Sequence, residues 1–129
     1  MSTPVVAPLS TDRSAFYWTS GREGVLRIAT CGDCGFRIHP PRPACPSCRG
    51  RDVTPQSVSG RGTVWSFTIS RRAWVPGIEA PYVVAEIELD EQPGLRVLST
   101  VTGGEVAIGI PVTVSFVEVD GAHVPVFSP

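Results

Sequence analysis

Residues 31–50, CGDCGFRIHPPRPACPSCRG, contain all four cysteines of the chain and decide its fold. The cysteines form two C-x2-C pairs, Cys31 with Cys34 and Cys45 with Cys48, separated by ten residues. A two-residue gap lets one tight turn present two sulfur ligands, and two such turns supply the four ligands of a tetrahedral zinc ion. The spacing therefore predicts one zinc ion bound by a short hairpin.

Two disulfides, free thiols and bound iron are the alternatives to zinc. Iron is included because it accepts the same all-sulfur ligand shell. Gly35 suits the first turn, because glycine readily adopts the positive φ of a tight turn. The second turn has Arg49 at the corresponding position, which is a mild departure from this pattern. Four thiolates around Zn²⁺ leave a charge of −2, and nearby arginines offset it: Arg37, Arg42, Arg49 and Arg51. A closed four-cysteine shell has no position for a reactive water, so the metal is predicted to be structural.

An aromatic run precedes the cysteine hairpin in STDRSAFYWTSG, residues 10–21. Ser10, Thr11 or Asp12 can cap a short helix there, and Gly21 can end it. Phe16, Tyr17 and Trp18 are consecutive, and neighbouring helical side chains lie about 100° apart. Three consecutive rings cover a wider arc of the helix than one narrow core-facing stripe. Part of this aromatic surface is therefore predicted to dock on a partner. The alternative is that all three rings pack on the domain to which the helix belongs.

Five segments after the hairpin are apolar and mostly alternate with polar residues, as β-strands do. They are TVWSFTIS, YVVAEIELD, LRVLSTV, VTVSFVEV and AHVPVF. In the first, Trp65, Phe67 and Ile69 are predicted to share one face. Five strands with one long first connection predict a small closed barrel of the OB type, with a sandwich as the alternative.

The sequence thus predicts a mainly β protein in three parts. Residues 1–23 form an N-terminal arm and short helix, residues 24–52 a zinc ribbon, and residues 53–129 a C-terminal five-stranded OB-fold barrel.

The first long connection, RRAWVPGIEAP (71–81), combines cations with an aromatic ring. Arginine with an aromatic face suits a ligand that carries phosphate and an adenine ring. Arg71, Arg72 and Trp74, together with Arg42 of the hairpin, are therefore candidate ligand-binding residues. The alternative is a long loop whose tryptophan covers the end of the barrel.

Charge is unevenly distributed along the chain. All eleven basic residues are arginines, so a Schiff-base lysine and a Walker-type phosphate loop are excluded. Residues 1–72 have a charge balance of +6, and residues 73–129 a balance of −7. Such asymmetry indicates either two surfaces for different partners or two independently solvated surfaces.

The residues predict no catalytic group and no membrane segment. His39 and His123 have no evident partners, and no G-x-S-x-G nucleophile elbow is present. No apolar run approaches the length of a membrane span, and the first residues do not resemble a secretory signal. We therefore expect a soluble cytoplasmic protein.

The aromatic helix, the C-x2-C ribbon with HPPRPACPSC and the segment GRGTVWSFTI…PGIEAPYVVAEIELD together resemble a known family. It is the family of rubredoxin-like zinc-ribbon plus OB-fold proteins associated with acyl-CoA metabolism, long catalogued as a domain of unknown function. The resemblance extends from about Asp12 to Phe127. It implies an accessory role beside thiolase-superfamily enzymes, with catalytic residues in the partner and Phe16 to Trp18 in a docking element.

The resemblance gives one preferred function and two alternatives. The preferred one is a non-catalytic subunit of a steroid side-chain aldolase, which cleaves a β-hydroxyacyl-CoA thioester by a retro-aldol reaction. The partner would be a thiolase-fold subunit in a heterodimer or heterotetramer, with acyl-CoA as a further ligand. The alternatives are a subunit of a thiolase or hydroxymethylglutaryl-CoA synthase complex, and a nucleic-acid-binding protein. Glu86, Glu88 and Asp90 on the second barrel strand would repel phosphates and disfavour the last.

Overall fold

One short helix, a 3-10 turn and eight strands form the regular structure of the described residues. The structure is a computed structural model that describes residues 5–74 and 76–129. The elements are α1 (Ala15–Thr19), a 3-10 turn (Ser20–Glu23), β1 (Leu26–Cys31), β2 (Arg37–Ile38), β3 (Val53–Val58), β4 (Arg61–Ser70), β5 (Tyr82–Leu89), β6 (Arg96–Ser99), β7 (Pro111–Val119) and β8 (Ala122–Ser128).

The ribbon is a three-stranded antiparallel sheet in the order β2-β1-β3. Ala29 of the central strand lies opposite Ile38 on one side and Pro55 on the other. Strand β3 belongs to the segment predicted as barrel, but it pairs with β1 along all six of its residues. The ribbon sheet therefore continues past residue 52.

The five predicted barrel strands form one antiparallel sheet in the order β6-β5-β4-β7-β8. Its two edges approach each other where Val101, just after β6, bridges Phe127 of β8. The sheet is thus a nearly closed five-stranded barrel, which confirms the prediction of an OB-fold.

A β-bulge in β4 places its aromatic residues on different faces of the sheet from those predicted. Val64 pairs with Ile87 and Ser66 pairs with Glu86, so Trp65 is the extra residue between them. One inserted residue reverses the alternation, and Trp65 is exposed while Phe67 packs on the core. The prediction that Trp65, Phe67 and Ile69 share one face is therefore wrong.

Most buried apolar side chains belong to one core that the ribbon and the barrel share. Leu26 and Ile28 of β1 pack with barrel residues, among them Ile87 and Phe127. A smaller cluster lies at the cysteines and comprises Ala29, Cys31, Ile38 and Cys45. Phe16 packs against both clusters, so the helix joins the ribbon to the barrel.

The helix is shorter than the sequence predicted. Thr11 and Ser14 exchange hydrogen bonds between their side chains and backbone N–H groups, at 3.0 and 3.2 Å, and so form the turn that leads into α1. After Thr19 the path tightens into the 3-10 turn, which Gly24 ends in the left-handed conformation. Gly21 was predicted to end the helix but is instead a buried residue on which a Cβ would collide with Phe116.

None of the helices in the described residues is long and apolar enough to cross a membrane.

Candidate metal centre and flanking surfaces

The four cysteine sulfurs converge at one end of the ribbon sheet. All four Sγ atoms lie within 4.8 Å of one another. The Cys31 and Cys48 sulfurs are 3.6 Å apart, and those of Cys34 and Cys45 are 3.7 Å apart. Tetrahedral zinc with bonds of about 2.3 Å would require sulfurs about 3.8 Å apart. The sulfur positions therefore fit a zinc ion.

Two turns of the same backbone shape hold these sulfurs. The Gly35 N–H donates to the Cys31 carbonyl, and the Arg49 N–H donates to the Cys45 carbonyl, both at 2.8 Å. Gly35 and Arg49 each adopt the left-handed conformation, with φ of 78° and 66°. In the second turn, backbone N–H groups also point at sulfur, as from Ser47 to the Cys45 Sγ at 3.3 Å.

Backbone N–H groups favour ionisation of Cys45. Burial acts against a charge on Cys45, but the N–H groups of Cys48 and Ser47 and the neighbouring thiols outweigh it and lower the Cys45 pKa to about 7. Metal binding requires thiolates. Within residues 5–74 and 76–129, no other group of three or more histidine, cysteine or acidic side chains is placed to hold a metal.

The aromatic residues of α1 differ in accessibility. Tyr17 is only 4% exposed and belongs to the shared core. Phe16 and Trp18 are partly buried and pack on that core from outside. Trp18 also lines an apolar groove of about 310 Å³ beside Leu98, which is exposed. Of the three predicted docking residues, Phe16 and Trp18 therefore retain surface, while Tyr17 supports them from below.

The predicted ligand-binding residues lie in two separate places. Arg71, Arg72 and Trp74 are exposed on the loop before β5, where the Arg72 guanidinium lies 4.7 Å from the Trp74 ring centroid. Val75 of the same loop lies outside the described residues. Arg42 instead lines a crevice with Gln92, beyond the other end of β5. Eight strand residues span roughly 25 Å, so these candidates do not form one site.

Two arginines that the sequence did not single out for ligand binding lie near Arg42. Arg13, from the turn before α1, and Arg51, after the second cysteine turn, line one crevice with Arg42. Ala29 of β1 and Pro55 of β3, which pair with each other, line the same crevice. Arg51 was visible in the sequence only as a cation flanking the metal site.

His39 is a packing residue of the hairpin. Its ring lies 4.8 Å from that of Tyr17, measured between centroids. Burial lowers the pKa of His39 to about 4, so the ring is neutral at pH 7.

Comparison with known proteins agrees with this architecture. Residues 18–54 match the family described as ChsH2, rubredoxin-like zinc ribbon domain, and residues 55–117 match ChsH2, C-terminal OB-fold domain. A chain of the solved Ltp2-ChsH2(DUF35) aldolase is 33% identical, with a TM-score of 0.85 over 95% of this chain and 98% of that one. The chain belongs to the ChsH2/DUF35 family. Its ribbon is thus a rubredoxin-like zinc ribbon with four cysteines placed for one structural zinc ion.

Two curated relatives are matched over only part of their length. The 3-oxo-4,17-pregnadiene-20-carboxyl-CoA hydratase alpha subunit of Mycobacterium tuberculosis is 36% identical over 117 residues, which are 88% of this chain and 37% of that protein. A DUF35 domain-containing scaffold protein of Pyrococcus furiosus is 35% identical over 79 residues, 60% of this chain and 57% of that protein. The matched part of this chain therefore covers about a third of the first relative and somewhat over half of the second.

Proposed function

We propose that this chain is a non-catalytic accessory subunit of a thiolase-superfamily enzyme that acts on acyl-CoA thioesters. The enzyme we infer is a steroid side-chain aldolase, in which the partner carries out the retro-aldol cleavage. The observation that carries the proposal is the match, along nearly the whole of both chains, to a chain of the Ltp2-ChsH2(DUF35) aldolase.

The metal centre supports an accessory role. Four cysteine sulfurs fill the tetrahedral shell of a zinc ion, so the ion has no position for water or substrate. Its contribution is then to hold the ribbon folded. The family also includes proteins described as scaffolds, which fits a subunit that braces another protein.

The aromatic helix supplies the proposed contact with the partner. Phe16 and Trp18 combine partial exposure with firm support from the buried Tyr17, whose ring meets that of Trp18 edge-on at 4.8 Å. Aromatic side chains held rigidly at a surface are frequent hot spots of protein interfaces. Removing either ring should therefore weaken assembly more than removing an aromatic residue elsewhere.

Nucleic-acid binding is the competing function, and the charges on the barrel disfavour it. Glu86 and Glu88 follow the outer face of β5, opposite Ser66 and Thr63 of β4. OB-folds bind single strands on this face with basic and aromatic side chains. Two carboxylates there would repel a phosphate backbone.

Reconstitution with a candidate thiolase-superfamily partner enzyme tests the proposal. We expect no cleavage of a β-hydroxyacyl-CoA thioester by the isolated chain, and cleavage when both subunits are present. Phe16→Ala and Trp18→Ala should weaken association at least tenfold, whereas Trp65→Ala on the barrel should leave it unchanged. Enzyme-like turnover by the isolated chain, or failure to associate with the partner, would contradict the proposal.

A further inference from the structure

The barrel is only partly closed along the seam between its two edge strands, β6 and β8. Backbone hydrogen bonds close one end of the seam: the Phe127 N–H donates to the Thr100 carbonyl at 3.1 Å, and the Thr102 N–H donates to the Phe127 carbonyl at 2.9 Å. Next to this closure a side chain bridges the seam, since the Ser99 hydroxyl donates to the Pro125 carbonyl at 2.9 Å. In the residues that the structure describes, β6 itself forms no ladder with β8.

Leu98 of β6 has a free backbone edge at the open part of this seam. The Leu95 carbonyl accepts a hydrogen bond from Leu89 on the β5 side, whereas the Thr100 carbonyl accepts its hydrogen bond from across the seam. Successive residues of a strand direct their N–H and C=O groups to alternate sides, so Leu98 directs its groups to the same side as Thr100. Within the described part of the chain, these two groups of Leu98 have no hydrogen-bond partner. A strand edge of this kind can pair with a strand of another chain.

The apolar groove of about 310 Å³ lies at this open part of the seam. Its walls include Trp18 of α1, the first residues of β5, Leu98 of β6 and Pro125 of β8. Among the described residues, no charged side chain lines the groove. Leu98 is also 68% exposed. A concave apolar surface beside a free strand edge favours association with another chain.

The remaining wall of the groove is a segment that precedes α1, residues 5–10, which we call the strap. Val5, Val6 and Pro8 of the strap line the groove together with the residues of the seam. Val5 and Pro8 are partly buried, whereas Leu9 is 96% exposed and lies outside the lining. The strap makes no hydrogen bond with the other described residues, so apolar contacts hold it in place. A segment held in this way opens at low free energy.

We propose that the strap blocks self-association of the chain, because it covers the open seam and keeps the Leu98 edge from pairing with the same edge of a second copy. Antiparallel pairing of β6 with β6 would join identical surfaces across a two-fold axis, as in the commonest type of homodimer. Pro8 suits the strap to this role, because proline has no N–H and does not extend a strand ladder. Covering an edge with a loop is one way in which natural proteins prevent edge-to-edge pairing. The inference involves no partner enzyme and is independent of the proposed function.

A charge placed in the strap of the full, zinc-loaded chain tests the proposal. Val5→Asp puts a carboxylate against an uncharged groove, where it would lose hydration, so the strap should leave the groove. Sedimentation velocity over a range of concentrations should show a mainly monomeric native chain and a Val5→Asp chain whose dimer Kd is about tenfold lower. Leu9→Asp is the matched control, because it adds the same charge outside the groove and should leave self-association unchanged. Zinc content and circular dichroism verify that each variant is folded.

Two further measurements identify the position of the strap and the surface that associates. In a chain that also carries Trp65→Phe and Trp74→Phe, Trp18 is the remaining tryptophan. Acrylamide should quench its fluorescence more strongly in Val5→Asp than in Leu9→Asp. Leu98→Lys added to Val5→Asp should restore the monomer, because a lysine on an edge strand opposes edge-to-edge pairing.

Three outcomes would overturn the inference. Equal quenching of Trp18 in Val5→Asp and Leu9→Asp would show that the strap does not cover the groove. Stronger quenching in a Val5→Asp chain that stays monomeric would show that the strap does not block association. A dimer that persists after Leu98→Lys would show that the chain associates through a surface other than the β6 edge.

Discussion

Arg49 has a backbone conformation that side chains with a Cβ rarely adopt. Its φ of 66° matches the 78° of Gly35 at the same place in the other cysteine turn. For residues with a Cβ the left-handed region costs roughly 1–2 kcal/mol, because Cβ approaches the following carbonyl. The second turn therefore holds strain that the first turn avoids.

Arg49→Gly should raise the free energy of unfolding of the zinc-loaded protein by about 1 kcal/mol, since glycine adopts this conformation without strain. Arg49→Ala is the matched control, because it removes the charge but keeps Cβ. Denaturant titration measures both variants. A stabilising alanine variant would show that the charge, and not the backbone, is responsible.

His39 should make stability depend on pH. Burial lowers its pKa to about 4 in the folded state, against about 6.5 when unfolded, so the unfolded chain binds a proton first as pH falls. Stability is therefore fully present above pH 6.5 and decreases towards pH 4. Between pH 7.5 and 5.5 the loss should be about 1.4 kcal/mol.

His39→Gln should lack this loss, so its stability relative to the native protein should improve as pH falls. Denaturant titrations at both pH values, with zinc content measured in each sample, provide the test. Parallel pH curves for the two proteins would contradict it.

At the scale of elements, the ribbon depends on its metal. Cys45→Ser removes a buried ligand from the closed shell, so bound zinc should fall from one per chain to near zero. Most of a binding energy of order 10 kcal/mol should be lost with it, and the ribbon sheet should unfold or aggregate. Metal analysis and circular dichroism measure both effects.

Ser47→Ala is the control for Cys45→Ser. Ser47 is exposed, and its contact with the Cys45 sulfur comes from the backbone, so the alanine variant should retain zinc and fold. A folded, metal-free Cys45→Ser protein that still binds its partner would refute the structural role of the metal.

Elements with strong local signals could be predicted from the sequence. The cysteine spacing identified the metal-binding turns, and alternation identified all five barrel strands. The bulge at Trp65 was not predictable, because an inserted residue leaves no mark in an alternating pattern. Strand β3, VTPQSV, is mostly polar, and only its long-range pairing with β1 makes it a strand. Paired residues of β1 and β3 also line the arginine crevice, so the crevice could not be predicted from local sequence patterns.

For the whole molecule, the shared core predicts one cooperative unfolding transition. Ile28 of the ribbon is fully buried among barrel residues. Ile28→Ala should therefore cost about 2–5 kcal/mol and destabilise the ribbon and the barrel together. Tryptophan fluorescence and zinc release should follow the same denaturant curve.

The control for this experiment is Ile69→Ala, which alters a side chain that is 40% exposed. It should cost under about 1 kcal/mol. Two separate transitions in the native protein, one for each sheet, would show that the ribbon and the barrel are independent.

The link between the two sheets is very short. Only Ser59 and Gly60 separate β3 from β4, and the Gly60 carbonyl accepts a hydrogen bond of 2.8 Å from the Val114 N–H. Because this link is so short, we expect the two sheets to keep a fixed orientation relative to each other. A partner protein that binds the ribbon would then also orient the barrel. Inserting residues between β3 and β4 would be the direct way to change the angle between the two sheets.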